Sequence, residues 1–171
     1  MFYNTHERLL TSTPAEVWPL MASLSSSEDA LWPVRRWPAM RFDRPLGVGA
    51  RGGHGPVRYE VAAIEPQRSV VFRFTPDFGI RGSHRLEIEP RGQGSLLRHV
   101  LEGESTGSMH LMWPLAFRPL HDALIEDAFD RAEASLAKRA WQPRRLSSRV
   151  RLLRRLAARM PNLTFRIRVP G

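Results

Sequence analysis

The sequence predicts an α+β domain in which a curved antiparallel sheet of six to seven strands packs around one long C-terminal helix. Apolar and polar residues alternate through most of residues 57–105, which is the pattern of strands with one solvated face. A regular helical pattern follows Pro119. At 171 residues the chain has about the size of one domain, so we expect the sheet and the helix to share one core.

The segment before the sheet predicts one strand and two short helices. Residues 2–10 alternate loosely and include Phe, Tyr and Thr, which favours a strand. The sequence Thr-Pro-Ala-Glu at 13–16 supplies a hydroxyl cap, a proline at the first helical position and the glutamate of a capping box. A helix is therefore expected to begin at Pro14. Residues 25–29 predict a second short helix, which ends before Pro33.

The sheet is expected to continue through antiparallel hairpins. Six strands are clear, and the glycine-rich residues 48–54 predict a weakly paired seventh. Residues 91–94 close the last hairpin. The register that sets Glu87 opposite Arg98 is favoured because opposite charges then face each other. In this register His84 lies diagonal to His99 on the apolar face.

The long helix is expected to run for about five turns beyond Pro119. Its polar positions, Asp127 among them, are assigned to the opposite, solvated side. Its apolar side is formed by Leu120, Leu124, Ile125, Ala128, Phe129, Ala132 and Leu136.

Charge divides the chain into a neutral part and a basic extension. Residues 1–140 hold all 17 acidic residues and 17 of the 26 Lys and Arg, so their net charge is zero. The nine remaining arginines lie between 144 and 168. We therefore predict a ligand-binding domain at 1–140 and a basic amphipathic extension at 141–171. The neutral part gives no electrostatic reason to expect a phosphate-binding surface.

The extension predicts a basic amphipathic helix that ends at Pro161, followed by an extended arm at 164–169. Through residues 144–169 it is expected to pack on the domain, to contact a second subunit or to lie on an anionic membrane. Nucleic acid is the least favoured partner because few aromatic residues interrupt the arginines. The helical stripe consists of Leu146, Val150, Leu153, Ala157 and Met160.

Several classes of site are excluded or not expected. The chain has no cysteine, which excludes disulfides, thiolate nucleophiles and iron–sulfur clusters and favours a reducing compartment. No apolar run approaches the length of a membrane span, and the N-terminus lacks the order of a signal peptide, so a cytoplasmic location is expected. The six histidines show no helical i,i+4 pair, so neither a metal nor a cofactor is predicted.

Two motifs and the order of elements resemble the START-like superfamily, also called SRPBCC. The segment Thr-Pro-Ala-Glu-Val-Trp at 13–18 is similar to the family's entrance to its first helix, and residues 82–97 are similar to its last hairpin. The resemblance covers about residues 3–140. It implies a helix-grip fold with a deep cavity between sheet and helix. The family uses that cavity for sterols, lipids, quinones, hormones and polyketides, and in some members for ring closure.

The primary interpretation is binding of a hydrophobic small molecule of aromatic or polyketide-like character. One alternative is a cofactor-free cyclase in which His84 or His99 is the base. Another is a lipid or quinone chaperone that docks on membranes through the basic extension. The expected lining of an enclosed cavity comprises Tyr59, Phe72, Phe74, His84, Leu86, His99 and Leu101 from the sheet, Met109, Trp113 and Phe117 at the mouth, and Leu124 and Ala128 from the helix.

Overall fold

The computed structural model describes residues 1–75 and 79–159, which form one antiparallel sheet with a long helix against it. The strands are β1 Phe2–Leu10, β2 Arg41–Phe42, β3 Arg51–His54, β4 Val57–Glu65, β5 Ser69–Phe74, β6 Ile80–Arg91 and β7 Gly94–Ser105. The helices are α1 Pro14–Ala22, α2 Met109–Met112, α3 Arg118–Leu136 and α4 Ser148–Ala158. A π-helical turn, Trp113–Phe117, joins α2 to α3. The strand order is β1-β7-β6-β5-β4-β3-β2, which confirms the predicted architecture.

The β6–β7 hairpin has the predicted register. Glu87 faces Arg98 across the ladder, and Leu86 faces His99. An ion pair of 3.4 Å joins the Glu87 carboxylate to the Arg98 guanidinium. Charge on the solvated face therefore fixes which side chains reach the inner face.

The glycine-rich segment forms a strand, and its glycines are needed for close backbone pairing. A Cβ on Gly52 would lie 1.9 Å from the carbonyl oxygen of Arg41 in β2. A Cβ on Gly53 would meet the carbonyl oxygen of Val57 at the same distance. Any side chain at either position would push β3 away from its neighbours.

The second short helix predicted at 25–29 is wrong, because this segment forms hydrogen-bonded turns. Ser25 has a φ of 65°, in the left-handed region that interrupts a helix. The Asp29 carboxylate accepts hydrogen bonds from the backbone N–H groups of Leu31 at 2.9 Å and Trp32 at 2.7 Å. Short polar side chains here bond the backbone and so compete with helix formation.

Asp127 of α3 does not face solvent as predicted but is 3% exposed. Its carboxylate accepts a 2.7 Å hydrogen bond from the Trp37 indole and bonds of 3.0 and 3.1 Å from the Arg36 guanidinium. The helical pattern of polar residues could not distinguish this position, because both partners come from a distant loop. Asp127 thus anchors the loop that precedes the sheet to α3.

The described part of the basic extension packs on the rest of the chain. Val150 of α4 is buried in the core cluster, and the Arg154 guanidinium lies 4.8 Å above the Trp37 ring. Arg149 donates hydrogen bonds of 3.1 and 3.0 Å to the carbonyl oxygens of Pro114 and Leu115. The division at residue 140 stays a prediction. The predicted effect of Pro161 and the arm at 164–169 fall outside the described residues.

Candidate functional site

The ring of His84 and four rings around it form a cluster on the inner face of the sheet, which we call the ring cluster. Phe72 stacks on His84 with 4.7 Å between ring centroids, and Tyr59 meets it edge-on at the same distance. The centroids of Phe74 and His99 lie 5.1 and 5.5 Å from that of His84. Alternate residues of four neighbouring strands supply these rings, because side chains two apart share a face.

The two predicted histidines contact each other directly. The Nε2 atom of His99 lies 3.4 Å from the Nδ1 atom of His84, so one ring donates a long hydrogen bond to the other. A neutral imidazole carries one N–H and one lone pair. Whichever ring donates, the two remaining nitrogens of the pair are therefore one donor and one acceptor.

These polar groups stay neutral near neutral pH. Burial, together with neighbouring histidines, lowers the pKa of His84 and of His99 well below the usual value. Burial raises the pKa of the Tyr59 phenol. The ring cluster consequently offers hydrogen bonds without charge.

Several atoms of the ring cluster are buried without a hydrogen-bond partner among the described residues. They are the hydroxyl of Tyr59, Nε2 of His84 and Nδ1 of His99. Leaving such a group unpaired costs about 1–3 kcal/mol. Three unpaired polar groups in one cluster mark the place where a ligand with polar groups would gain the most hydrogen-bond energy.

The predicted lining residues of α3 lie in the interior. Leu124 and Ala128 of α3 are each 4% exposed and belong to the same core cluster as Leu86 and Leu101 of the sheet. The role of these four residues in lining a cavity stays a prediction.

The predicted mouth residues lie where the chain passes from β7 into the long helix. Met109 and Trp113 are buried, and Trp113 stacks on Phe2 at the start of β1 with ring centroids 4.3 Å apart. Phe117 packs half-buried against the core. Leu111 and Leu115 are mostly exposed in the same segment. A π turn surrounded by exposed apolar side chains is a common feature of functional sites.

Comparisons with solved structures place this architecture among known folds. A truncated norcoclaurine synthase from Thalictrum flavum is 14% identical, with a TM-score of 0.61 over 81% of this chain and 95% of that one. CalU16 from Micromonospora echinospora is 15% identical, with a TM-score of 0.56 over 91% and 83%. No family model matches the chain, and neither does any curated protein.

The chain has the helix-grip fold of these structures.

In this helix-grip structure the ring cluster forms the sheet side of the space where the sequence predicts an enclosed cavity. Tyr59 and Phe72 are fully buried, and their ring centroids lie 5.3 Å apart. Clefts of about 440 and 530 Å³ lie elsewhere, one beside the C-terminal end of α3 and one near the start of α1. The enclosed cavity between these rings and α3 stays a prediction.

A second polar cluster, which the sequence analysis missed, joins β1 to α3. The Nδ1 and Nε2 atoms of His6 lie 2.7 Å from Glu126 and 3.1 Å from Asp122. His121 lies beside them, with Nδ1 3.7 Å from the Asp122 carboxylate. One ligand-type atom each from His6, His121 and Asp122 lies within 4.8 Å of the others. Spacing along the sequence could not reveal this, because Asp122 is 116 residues from His6.

The charges of this second cluster are set by its hydrogen bonds. Burial lowers the pKa of His6, but bonds to Asp122 and Glu126 outweigh it and raise the pKa overall. Partial burial acts to raise the pKa of Asp122, yet contacts with His121, His6 and Asn4 hold it far below the usual value. His121 differs, because burial lowers its pKa. The centroid of its ring lies 4.9 Å from that of His99, so the second cluster adjoins the ring cluster.

Among the described residues of this helix-grip chain, none of the helices is long and apolar enough to cross a membrane. The outer side of α4 combines arginines with exposed apolar residues. Leu152 is 57% and Leu156 46% exposed, beside the exposed Arg151 and Arg155. The inner side of α4 can therefore pack on the domain while its outer side stays exposed.

Proposed function

We propose that the protein binds a hydrophobic aromatic small molecule that carries a hydroxyl or carbonyl group, held between the sheet and α3. The observation that carries the proposal is the ring cluster, in which buried polar atoms without partners lie among aromatic walls. Pockets for small molecules are mostly apolar, with a few polar groups that fix the orientation of the ligand.

The histidine pair defines the chemistry of the guest. Because His84 and His99 bond each other, the pair retains one free donor and one free acceptor in either tautomer. A phenol or enol can both donate and accept, and the Tyr59 hydroxyl adds a third group. A purely aliphatic ligand would leave all three unsatisfied. An aromatic ring with an oxygen substituent therefore fits better than a hydrocarbon chain.

The ligand is proposed to enter at the segment 106–117. The rings of the cluster contact one another, so binding requires part of the wall to move. The segment 106–117 contains the π turn and the exposed Leu111 and Leu115. π turns interrupt the regular hydrogen-bond ladder of a helix, which lowers the cost of local rearrangement. Movement of Trp113 away from Phe2 would open the interior beside His121.

A solved relative of this fold supports the choice of ligand class. Norcoclaurine synthase from Thalictrum flavum has been seen in complex with dopamine and hydroxybenzaldehyde, with a TM-score of 0.59 to this chain. At 15% identity this likeness concerns the fold alone. It supports the proposal that the space between sheet and helix accepts a hydroxylated aromatic molecule.

Replacing either histidine tests the binding role. We expect His84→Phe and His99→Phe each to weaken the binding of 2-naphthol, a hydroxylated aromatic probe, by about tenfold, equivalent to about 1.4 kcal/mol. Fluorescence titration gives the dissociation constants, and circular dichroism checks that each variant is folded. His110→Phe serves as the control, because His110 is exposed and bonds Ser105 outside the ring cluster. Equal affinities for all four proteins would contradict the proposal.

The same pair favours a second, catalytic candidate, a cofactor-free cyclase-type enzyme. Burial keeps both imidazoles neutral and leaves one free lone pair on the pair, but the lowered pKa makes either ring alone a weak base, so a proton from an enolisable substrate must be relayed through the pair. The bond between the rings would let a proton taken up at one end be matched by one released at the other. In this case His84→Phe or His99→Phe abolishes turnover while affinity changes by less than about tenfold.

A lipid or quinone carrier is the remaining candidate, and the outer side of α4 favours it. Exposed arginines around Leu152 and Leu156 suit the headgroup region of an anionic membrane or a second subunit. Nucleic acid is less suited, because Trp141 is the one aromatic residue in the described part of the extension. Finding a lipid rather than an aromatic molecule bound to the protein would distinguish this candidate from the proposed function.

A further inference from the structure

We propose that His6, His121 and Asp122 form a binding site for a divalent transition metal, for which Zn²⁺ is the natural probe. Two imidazoles and one carboxylate are the ligand types of three-ligand zinc sites, in which the fourth position stays open. One ligand-type atom of each residue lies within 4.8 Å of the others. This inference is independent of the proposed binding of an aromatic molecule.

The distances from Asp122 to both histidines are close to those of a zinc site. Zinc binds histidine nitrogen and carboxylate oxygen at about 2.0–2.2 Å, which separates tetrahedral ligands by about 3.3 Å. The Asp122 oxygen lies 3.1 Å from Nε2 of His6 and 3.7 Å from Nδ1 of His121. The carboxylate thus already lies close to both nitrogens at nearly the spacing that a shared metal imposes.

His121 supplies the observation that a simple ion pair leaves unexplained. Both of its ring nitrogens are buried and lack a hydrogen-bond partner among the described residues. Its side chain is 14% exposed, so water can satisfy it only poorly. A metal ion is the partner that would use such a nitrogen, because a neutral imidazole binds through its lone pair.

His6 is held in the orientation that a metal ligand needs. Its Nδ1 atom bonds the Glu126 carboxylate at 2.7 Å, and Arg8 in turn donates to Glu126 at 3.0 Å. Histidine ligands in proteins are commonly oriented by a carboxylate on the second nitrogen. A metal that displaces the Nε2 proton to solvent would leave Nδ1–H bonded to Glu126, with the Nε2 lone pair facing the metal beside Asp122.

Charge and access also favour a cation here. The carboxylates of α3 near the site are Asp122, Glu126, Asp130 and Glu133, and three arginines, Arg8, Arg118 and Arg144, pair with them. The Asp122 side chain is 37% exposed, which leaves a path for a hydrated ion. Nitrogen ligands select Zn²⁺ over Mg²⁺, which prefers oxygen.

Calorimetric titration of the untagged chain with Zn²⁺ tests the site. We expect one equivalent to bind, and we expect Asp122→Asn and His121→Asn each to raise the dissociation constant at least tenfold. Glu126→Gln should raise it 10–100-fold through His6. Mg²⁺ at the same concentration should give no heat. The absence of cysteine removes thiolates as an alternative source of binding.

The control is His110→Asn, which removes an exposed histidine outside the cluster and should leave zinc binding unchanged. Asp122→Asn preserves the shape of the side chain, so it carries the test if His121→Asn does not fold. Absence of zinc binding, unchanged affinity in Asp122→Asn, or an equal loss in His110→Asn would each overturn the proposal. Substitution by Co²⁺ adds a visible spectrum whose bands should disappear in Asp122→Asn.

Discussion

Asp127→Ala is expected to lower the free energy of unfolding by about 3 kcal/mol, the lower end of the range for breaking a buried ion pair. The substitution removes the acceptor of the Trp37 indole. It also leaves the Arg36 guanidinium, whose side chain is 17% exposed, without its carboxylate partner. Burial raises the pKa of Asp127 despite bonds from Trp37 and Arg36. The loss therefore arises mainly from the partners left unpaired. Urea unfolding followed by circular dichroism measures it.

Two variants separate this buried anchor from a general effect of removing charge. Glu65→Ala removes the carboxylate of an exposed ion pair with Arg68 and should change stability by less than about 1 kcal/mol. Asp127→Asn keeps an oxygen acceptor for Trp37 and should lose less than Asp127→Ala. Because Arg154 packs over Trp37, the amides of α4 should also exchange faster in Asp127→Ala. Equal stability of Asp127→Ala and Glu65→Ala would contradict the anchor.

Acidification is expected to destabilise the fold through histidines that are buried neutral. Burial lowers the pKa of His84 well below its usual value and lowers the pKa of His54 to about 3. The unfolded chain therefore takes up protons below pH 6.5 that the folded chain does not. Each histidine that stays neutral when folded costs about 2 kcal/mol of stability between pH 7 and pH 5. His6 acts in the opposite direction, because its pKa is raised.

His84→Phe isolates one of these contributions. Its ring is surrounded by Tyr59, Phe72, Phe74 and His99, with no carboxylate among its ring contacts. Phenylalanine keeps these contacts and cannot be protonated. The fall in unfolding free energy from pH 7 to pH 5 should therefore be about 2 kcal/mol smaller in His84→Phe than in the unsubstituted chain. His110→Phe controls for the loss of an exposed histidine. The same pH dependence in His84→Phe and the unsubstituted chain would show that His84 is not buried neutral.

Local and pairwise features of the fold could be predicted from the sequence. The capping box at Thr13 is visible in four residues, and in the structure the Thr13 backbone N–H donates to the Glu16 carboxylate at 2.7 Å. The β6–β7 register follows from the charges of Glu87 and Arg98, and it correctly brought His84 and His99 together. These predictions succeeded because they depend on neighbours in sequence or across one hairpin.

Features that depend on several distant elements could not be predicted in this way. Asp127 has the helical spacing of the solvated residues of α3. It is buried because the loop that carries Arg36 and Trp37 covers it. His6 and His121 show no metal-ligand spacing and meet only because β1 lies against α3. Parity along the strands also identified the inward rings without showing that they contact one another as one cluster. How rings from four strands pack together is a property of the whole core, not of a pattern in one strand.

The central claim, that the ring cluster receives a hydroxylated aromatic molecule, is tested most directly by nuclear magnetic resonance of the imidazole nitrogens. The ¹⁵N signals of His84 and His99 are followed while 2-naphthol is added, with a lysophospholipid as the comparison and His110 as the internal control. The account predicts saturable shifts at His84 and His99 with 2-naphthol, none at His110, and loss of the shifts in the double variant His84→Phe/His99→Phe. Shifts caused by the phospholipid alone would favour the lipid carrier. Unchanged His84 and His99 signals at saturating 2-naphthol would contradict the account.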